Sequence, residues 1–245
     1  MKKYSWVIIV LIFILVSTMA LAAKPVLRVA TEATYAPFET IDQKGNFVGF
    51  DMDLIRLVAA QAGMQLKMMN VSWDGIIPGL MNGNYDCIIA AMTITPERKK
   101  QIAFSIPYFS NKQTIVVKVN NTTVKTPDDL IGKTVTVQNG TTGDLFASKI
   151  KDVKMKRFDT NPQAIQELLN NNADAAMMDD LVAYDVVKNS KGLKAIEIEK
   201  VEKEDYGIGI RKDNEQLIAK INKAIETLKK NGKLDALVAK YKAAK

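Results

Sequence analysis

The sequence predicts an α/β protein built on parallel sheets, and three observations carry that expectation. Short apolar runs rich in Val, Ile and Ala alternate with amphipathic helical stretches from Val26 onward, which is the pattern of repeated β-α-β units. The same plan occurs twice along the chain, with no repeated sequence. In each half, strands run out into polar loops at their carboxyl edge, where open α/β sheets take ligands.

Ahead of the first strand, Lys2 and Lys3 precede an uncharged apolar run over 6–16, then Ser17, Thr18 and an Ala-Leu-Ala site at 20–22. That order reads as a secretory signal over 1–22, cleaved after Ala22. An uncleaved anchor is the alternative, but the run falls short of the ~20 apolar residues of a spanning helix. No cysteine lies near the cleavage site, so no lipid anchor is expected. The sole cysteine, Cys87, excludes an internal disulfide, and a core of this size must carry stability unaided.

Composition narrows the function. The chain has 245 residues, 47% hydrophobic and 25% charged, which is ordinary for a globular protein. Net charge is +7, or +5 once Lys2 and Lys3 leave with the signal. The lysines are scattered, with no basic block and no interleaved aromatics, so no nucleic-acid partner is expected. There is no histidine. That excludes Ser-His-Asp and Cys-His catalysis and the usual zinc sites, and neither metal nor cofactor is expected.

In chain order, 26–30 is a strand ending in an irregular segment that holds Glu32, Tyr35 and Phe38. A Lys44–Gly45–Asn46 turn predicts a hairpin to 47–50. Asp51 and Asp53 open a helix with Leu54, Leu57, Val58 and Ala62 on its apolar stripe, stopped by Gly63. A second parallel strand follows at 65–70. Ser72 caps a short helix through Ile76, Ile77 and Leu80, and Pro78 is expected near its first turn. The run 87–91 is a buried strand that turns through Met92, Thr93 and Ile94 into a helix capped by Thr95, with Pro96 at its first position. The extended run 114–119 looks like a crossing into a new region. Another capped helix begins at Thr126. Strand 135–138 breaks at the Asn-Gly-Thr-Thr-Gly loop 139–143 and enters a helix. Strand 153–158, helix 162–169, strand 174–178 and a helix from Asp180 follow, then strand 206–210, a helix over 214–230 and a shorter last helix.

Four loop groups could carry chemistry. Arg98 offers a planar fork matched to a carboxylate, although a plain surface arginine has the same look. Thr142 and Gly143 lie at a strand-to-helix turn whose free N–H groups favour an anion; an ordinary tight turn is the alternative, and the loop lacks the lysine and spacing of a phosphate loop. Asp179, at a strand end, is an acceptor suited to an ammonium or a helix N-cap. Tyr35 and Trp73 lie on loops, as cavity walls or as packing between domains. Together they form the complement of a zwitterion, with no acid set against a base, so binding is expected rather than catalysis.

The segments GFDMDLIRLVAAQA (49–62), WDGIIPGL (73–80), TITPERKKQIAFS (93–105) and VQNGTTG (137–143) resemble the bacterial extracellular solute-binding proteins of family 3, amino-acid receptors of ABC importers. The likeness spans the mature chain. It implies a type II periplasmic binding protein fold, two α/β lobes joined by a two-strand hinge, with lobe one at 23–111 and 207–245 and lobe two at 112–206. It also implies a periplasmic monomer that delivers an L-amino acid to a membrane permease. By the same resemblance Arg98 grips the α-carboxylate with backbone help from Ala91, Thr93 and Thr142, Asp179 takes the α-ammonium together with the Ala91 carbonyl and the Thr93 hydroxyl, and Tyr35 and Trp73 sandwich the side chain. Glu32, Gln138 and Met178 would select it, and Met92 and Thr141 complete the expected set. Many family members have serine or glycine where Ala90 and Ala91 stand, so a hydroxyl contact is lost here. An acid at Glu32 is similar to arginine and lysine receptors, and arginine or another basic amino acid is the expected ligand. Glutamine is the alternative, and a cyclohexadienyl-dehydratase-like lyase on the same fold is a more distant one.

Overall fold

A computed structural model describes residues 24–243; the expected signal at 1–22 lies outside them. Strand β1 (Val26–Thr31) leads to the small antiparallel meander β2 (Thr34–Tyr35), β3 (Glu39–Ile41) and β4 (Phe47–Val48), then α1 (Phe50–Gln61) and β5 (Gln65–Asn70). Next come α2 (Trp73–Met81), β6 (Cys87–Ile88), α3 (Pro96–Gln101), β7 (Ala103–Phe104), β8 (Phe109–Asn111) and β9 (Gln113–Lys118). After a 3-10 turn at Pro127–Leu130, the chain runs through β10 (Thr134–Gln138), α4 (Thr142–Ala147), β11 (Lys154–Phe158), α5 (Asn161–Leu169), β12 (Ala175–Asp179) and α6 (Asp180–Asn189). It closes with β13 (Leu193–Glu197), β14 (Glu204–Tyr206), β15 (Gly209–Ile210), α7 (Glu215–Lys230) and α8 (Lys233–Lys242).

Two five-stranded sheets organise these elements, in the orders β5-β1-β6-β15-β7 and β11-β10-β12-β9-β13. The expected parallel sheets are in fact mixed. β1 pairs in parallel with β5 and β6, and β10 with β11 and β12. β15 runs antiparallel to its neighbours in the first sheet, as β9 does in the second. The cause is the crossing: β9 and β15 each follow a passage of the chain from one sheet to the other, and each enters its new sheet reversed. The passages themselves, β8 and β14, pair antiparallel with Phe109 opposite Tyr206 and Asn111 opposite Glu204. The expected strand at 206–210 is therefore two strands in different sheets, and β13 went unpredicted because Lys194 and Glu197 dilute its apolar pattern.

Aromatic rings knit the crossing. Phe38 meets Phe109 and Tyr206 edge-on, each at 5.1 Å between centroids, and Phe109 stacks on Tyr206 at 5.7 Å. Such pairs add about 0.5–1.5 kcal/mol each beyond their burial. Helix α1 docks here without a side-chain N-cap. Its first N–H groups bond instead to chain carbonyls, Phe50 to Pro37 at 2.9 Å and Asp51 to Phe38 at 3.0 Å. Gly49 permits this approach: its φ is +129°, and a Cβ there would lie 2.2 Å from the Phe38 oxygen. Leu217, Ile221, Ala224, Ile225 and Leu228 of α7 are buried in the same core as α1.

Pro78 departs from expectation. It sits inside α2, past the first turn. From outside the helix, Tyr85 donates its hydroxyl proton to the Ile76 carbonyl. Gly79 makes room for that ring, since a Cβ there would lie 2.3 Å from the Tyr85 oxygen.

Candidate functional site

The loop between β6 and α3 is held from beneath by a buried carboxylate. Ala91 adopts a left-handed φ of +43°, and its N–H donates to Asp51 Oδ2 at 2.7 Å. The same oxygen accepts the Tyr108 hydroxyl proton at 2.9 Å. Burial pushes Asp51 up to about 7. Glu39, 1% exposed beside it, is pushed well above the usual carboxylate range by burial and the neighbouring Asp51 charge. Backbone strain at Ala91 is thus fixed by a specific acid, and the loop's next residues project at set angles.

Thr95 caps α3 as expected, accepting from the Arg98 N–H at 3.1 Å. The Arg98 guanidinium turns back over the loop. It donates to the Thr93 carbonyl at 2.8 Å and to the Gly140 carbonyl of the facing lobe at 3.2 Å, and it lies 5.0 Å from the Trp73 ring centroid. Arg28, Arg56, Arg157 and Arg211 each pair with an aspartate. Among the described residues Arg98 has no carboxylate partner in an ion pair. Burial lowers its pKa, and the more distant Asp179 and Glu204 charges oppose that shift. It is a withdrawn cation equipped for an anion.

From the other sheet, β12 ends on Asp179, 5% exposed. Asp179 occupies the N-cap position of α6, yet its side chain makes no capping bond. Oδ1 accepts from Gln113 Nε2 at 2.6 Å, and Oδ2 accepts the Tyr206 hydroxyl proton. Burial is the main cause pushing it up to about 7, with the Glu204 charge adding and the Tyr206 and Gln113 bonds opposing. No cation pairs with it among the described residues.

Both groups open on one cavity, lined by Glu32, Tyr35, Glu39, Trp73, Ala90, Ala91, Thr93, Arg98, Gln138, Thr141, Thr142 and Asp179. The two sheets approach each other across it: Thr93 Oγ1 lies 3.4 Å from Thr142 Oγ1, Gln138 Nε2 is 3.4 Å from Glu32 Oε2, and Tyr35 takes a long 3.4 Å bond from the Asp179 N–H. Thr141 caps α4, accepting from the Asp144 N–H at 3.2 Å. Glu32 also accepts the Thr34 hydroxyl proton, and burial raises its pKa.

Two expected residues do not line the cavity. Met92 is fully buried with Ile76, Leu80, Ile88 and Ile102, on the far side of the loop from Ala91 and Thr93. Met178 points into the core, its sulfur 3.7 Å from Asn161 Nδ2, because side chains along β12 alternate and Asp179 takes the cavity side. Sequence reasoning missed Glu39, Gln113, Glu204 and the supporting role of Asp51. The last lay within the GFDMD run, where an acid at a helix start has a sufficient local explanation.

Two α/β sheets crossed by a strand pair, with charged groups of opposite sign facing one cavity, define a bilobed binding protein of the type II periplasmic fold. The chain belongs to the bacterial extracellular solute-binding proteins, family 3, whose family model matches residues 27–244. It is 37% identical to a probable histidine-binding protein of Neisseria gonorrhoeae, over 90% of this chain and 85% of that one. It is 34% identical to an ABC transporter arginine-binding protein of Escherichia coli, over 88% and 90%. Among solved structures, an ancestral arginine-binding protein, determined both with glutamine and with arginine, superposes with a TM-score of 0.85 at 44% identity, over 89% of this chain and 98% of that one.

Proposed function

We propose that the protein is the extracytoplasmic substrate-binding component of an amino-acid ABC importer, and that it clamps arginine or another basic L-amino acid. One observation carries the reading: Arg98 and Asp179, neither in an ion pair among the described residues, face the same cavity from facing lobes. An α-carboxylate on Arg98 and an α-ammonium at Asp179 would satisfy both groups, at about 1.5–3 kcal/mol per charge-assisted bond. Tyr35 and Trp73 wall the space between, and Glu32 with Gln138 meets the side chain.

The lobes are 23–111 with 207–245, and 112–206. Ligand contacts drawn from both exist only when they close, so binding shifts an open population to a closed one. The closed form, a periplasmic monomer released by cleavage of the signal at 1–22, docks on a membrane permease. Catalysis is not part of the reading. The cavity carboxyls Glu32, Glu39 and Asp179 are all shifted upward, so no acid is set against a base.

Glutamine is the second reading. The Glu32–Gln138 contact and the raised Glu32 pKa suit a neutral amide, and the ancestral relative was determined with that ligand as well. Titration calorimetry on wild type and Glu32→Gln separates the two. For an arginine receptor, the arginine-to-glutamine affinity ratio falls at least tenfold in the variant. An unchanged ratio contradicts the arginine assignment.

A further inference from the structure

A further carboxylate stands directly behind the cavity. Glu204, the first residue of β14 in the crossing, lines the outer groove between the lobes, whereas Thr93 and Thr142 line both that groove and the cavity. The two threonines, one from each lobe, are the partition. Glu204 Oε2 accepts the Thr142 hydroxyl proton at 2.6 Å, the Thr93 hydroxyl proton at 3.2 Å and a proton of Gln113 Nε2 at 3.2 Å. Gln113, fully buried, donates from the same nitrogen to Thr142 Oγ1 at 3.2 Å and to Asp179 Oδ1 at 2.6 Å. A hydroxyl has one proton and two lone pairs. A threonine that gives its proton to Glu204 offers only lone pairs elsewhere.

We propose that Glu204 is a positioning residue that sets the hydrogen-bond polarity of the cavity's Asp179 end. By taking the hydroxyl protons of Thr93 and Thr142 it leaves acceptors there, which an α-ammonium satisfies and a carboxylate does not. The inference rests on the amino-acid reading above and deepens it. Thr142 cannot donate its hydroxyl to the ligand carboxylate while Glu204 holds the proton, so the carboxylate depends on Arg98 and on backbone N–H groups. Because the two hydroxyls come from facing lobes, one carboxylate ties ammonium selection to closure.

The test is a ligand-by-variant cycle on the purified protein. Dissociation constants of L-arginine and of 5-guanidinopentanoate, which lacks only the α-amino group, are measured by calorimetry for wild type and Glu204→Met. The methionine side chain keeps the length but has no strong acceptor, so the threonine hydroxyl protons are free to turn toward the cavity. The expected result is at least a tenfold fall in the preference for L-arginine over its desamino analogue, with affinity for the analogue changed less than threefold. Equal weakening of both ligands marks a merely structural role and overturns the proposal, as does no change in either. If wild type binds L-glutamine or L-histidine in place of arginine, the same cycle is run with that amino acid and its desamino analogue. Wild type that binds none of the three overturns the functional reading, and this inference falls with it.

Discussion

Replacing Arg98 with alanine is expected to abolish amino-acid binding while leaving a folded protein. The guanidinium has no carboxylate partner among the described residues, and its two carbonyl acceptors are Thr93 on its own loop and Gly140 of the facing lobe, neither in the core of a sheet. Truncating one side of a desolvated charge pair costs about 2–5 kcal/mol, so affinity should fall by roughly 30-fold to several thousandfold. Arg98→Lys keeps the charge but loses the fork that meets both carboxylate oxygens, and it should bind with intermediate strength. Calorimetry reads the affinities, and circular dichroism with a ligand-free melt checks the fold. Retained affinity in Arg98→Ala would sink the assignment of the carboxylate pole.

The second large effect is on pH, with opposite signs for the ligand-free and liganded protein. Asp51 and Asp179 are raised to about 7, and Glu32 and Glu39 are raised as well, against an unfolded value near 4. Through that window the folded chain holds more protons than the unfolded one, so ligand-free stability falls as pH rises from about 4 to 7. Asp42, Asp86 and Asp129 are shifted downward, and their contribution is lost only in more acidic solution. An α-ammonium reverses the sign at Asp179, because it favours the charged carboxylate that Tyr206, Gln113 and Tyr35 already contact. Below pH 7 the ligand must displace a proton, and affinity should fall by about tenfold per pH unit. Melts at pH 5 to 8 should show a declining ligand-free midpoint and a growing increment from L-arginine. A binding constant that stays flat between pH 5.5 and 7.5 contradicts the role of Asp179.

Local chemistry was readable wherever a residue's neighbours in sequence are its neighbours in space. The Thr95 cap, the Pro96 start of α3, the Gly63 stop after α1 and the apolar face of α7 all follow from spacing alone. The cavity-facing positions of Arg98, Thr142 and Asp179 followed from strand ends and helix starts, which an α/β sheet places along one edge. What sequence could not supply is long-range pairing. Gln113 and Glu204 are 91 positions apart, and each has an unremarkable local role in an extended run, yet the crossing brings Gln113 Nε2 within 3.2 Å of Glu204 Oε2. Asp51 reaches Ala91 across 40 positions. The reversal of β9 and β15 is likewise a property of the crossing and leaves no mark in a strand's own composition. Met178 was expected in the cavity on the resemblance, and the alternation of side chains along β12 turns it into the core, where Met92 also lies.

The most direct measurement is a thermal-shift panel of the twenty L-amino acids on the purified protein, at saturating concentration and pH 7.5. A ligand at a hundredfold its Kd stabilises by ~2.7 kcal/mol, which for a chain of this size is several degrees. The expected result is a clear rise for L-arginine or another basic amino acid, with no rise for agmatine, which keeps the side chain and amine of arginine but lacks the carboxylate that Arg98 would grip. A panel in which no amino acid raises the midpoint, or in which agmatine matches arginine, would contradict the two-pole clamp.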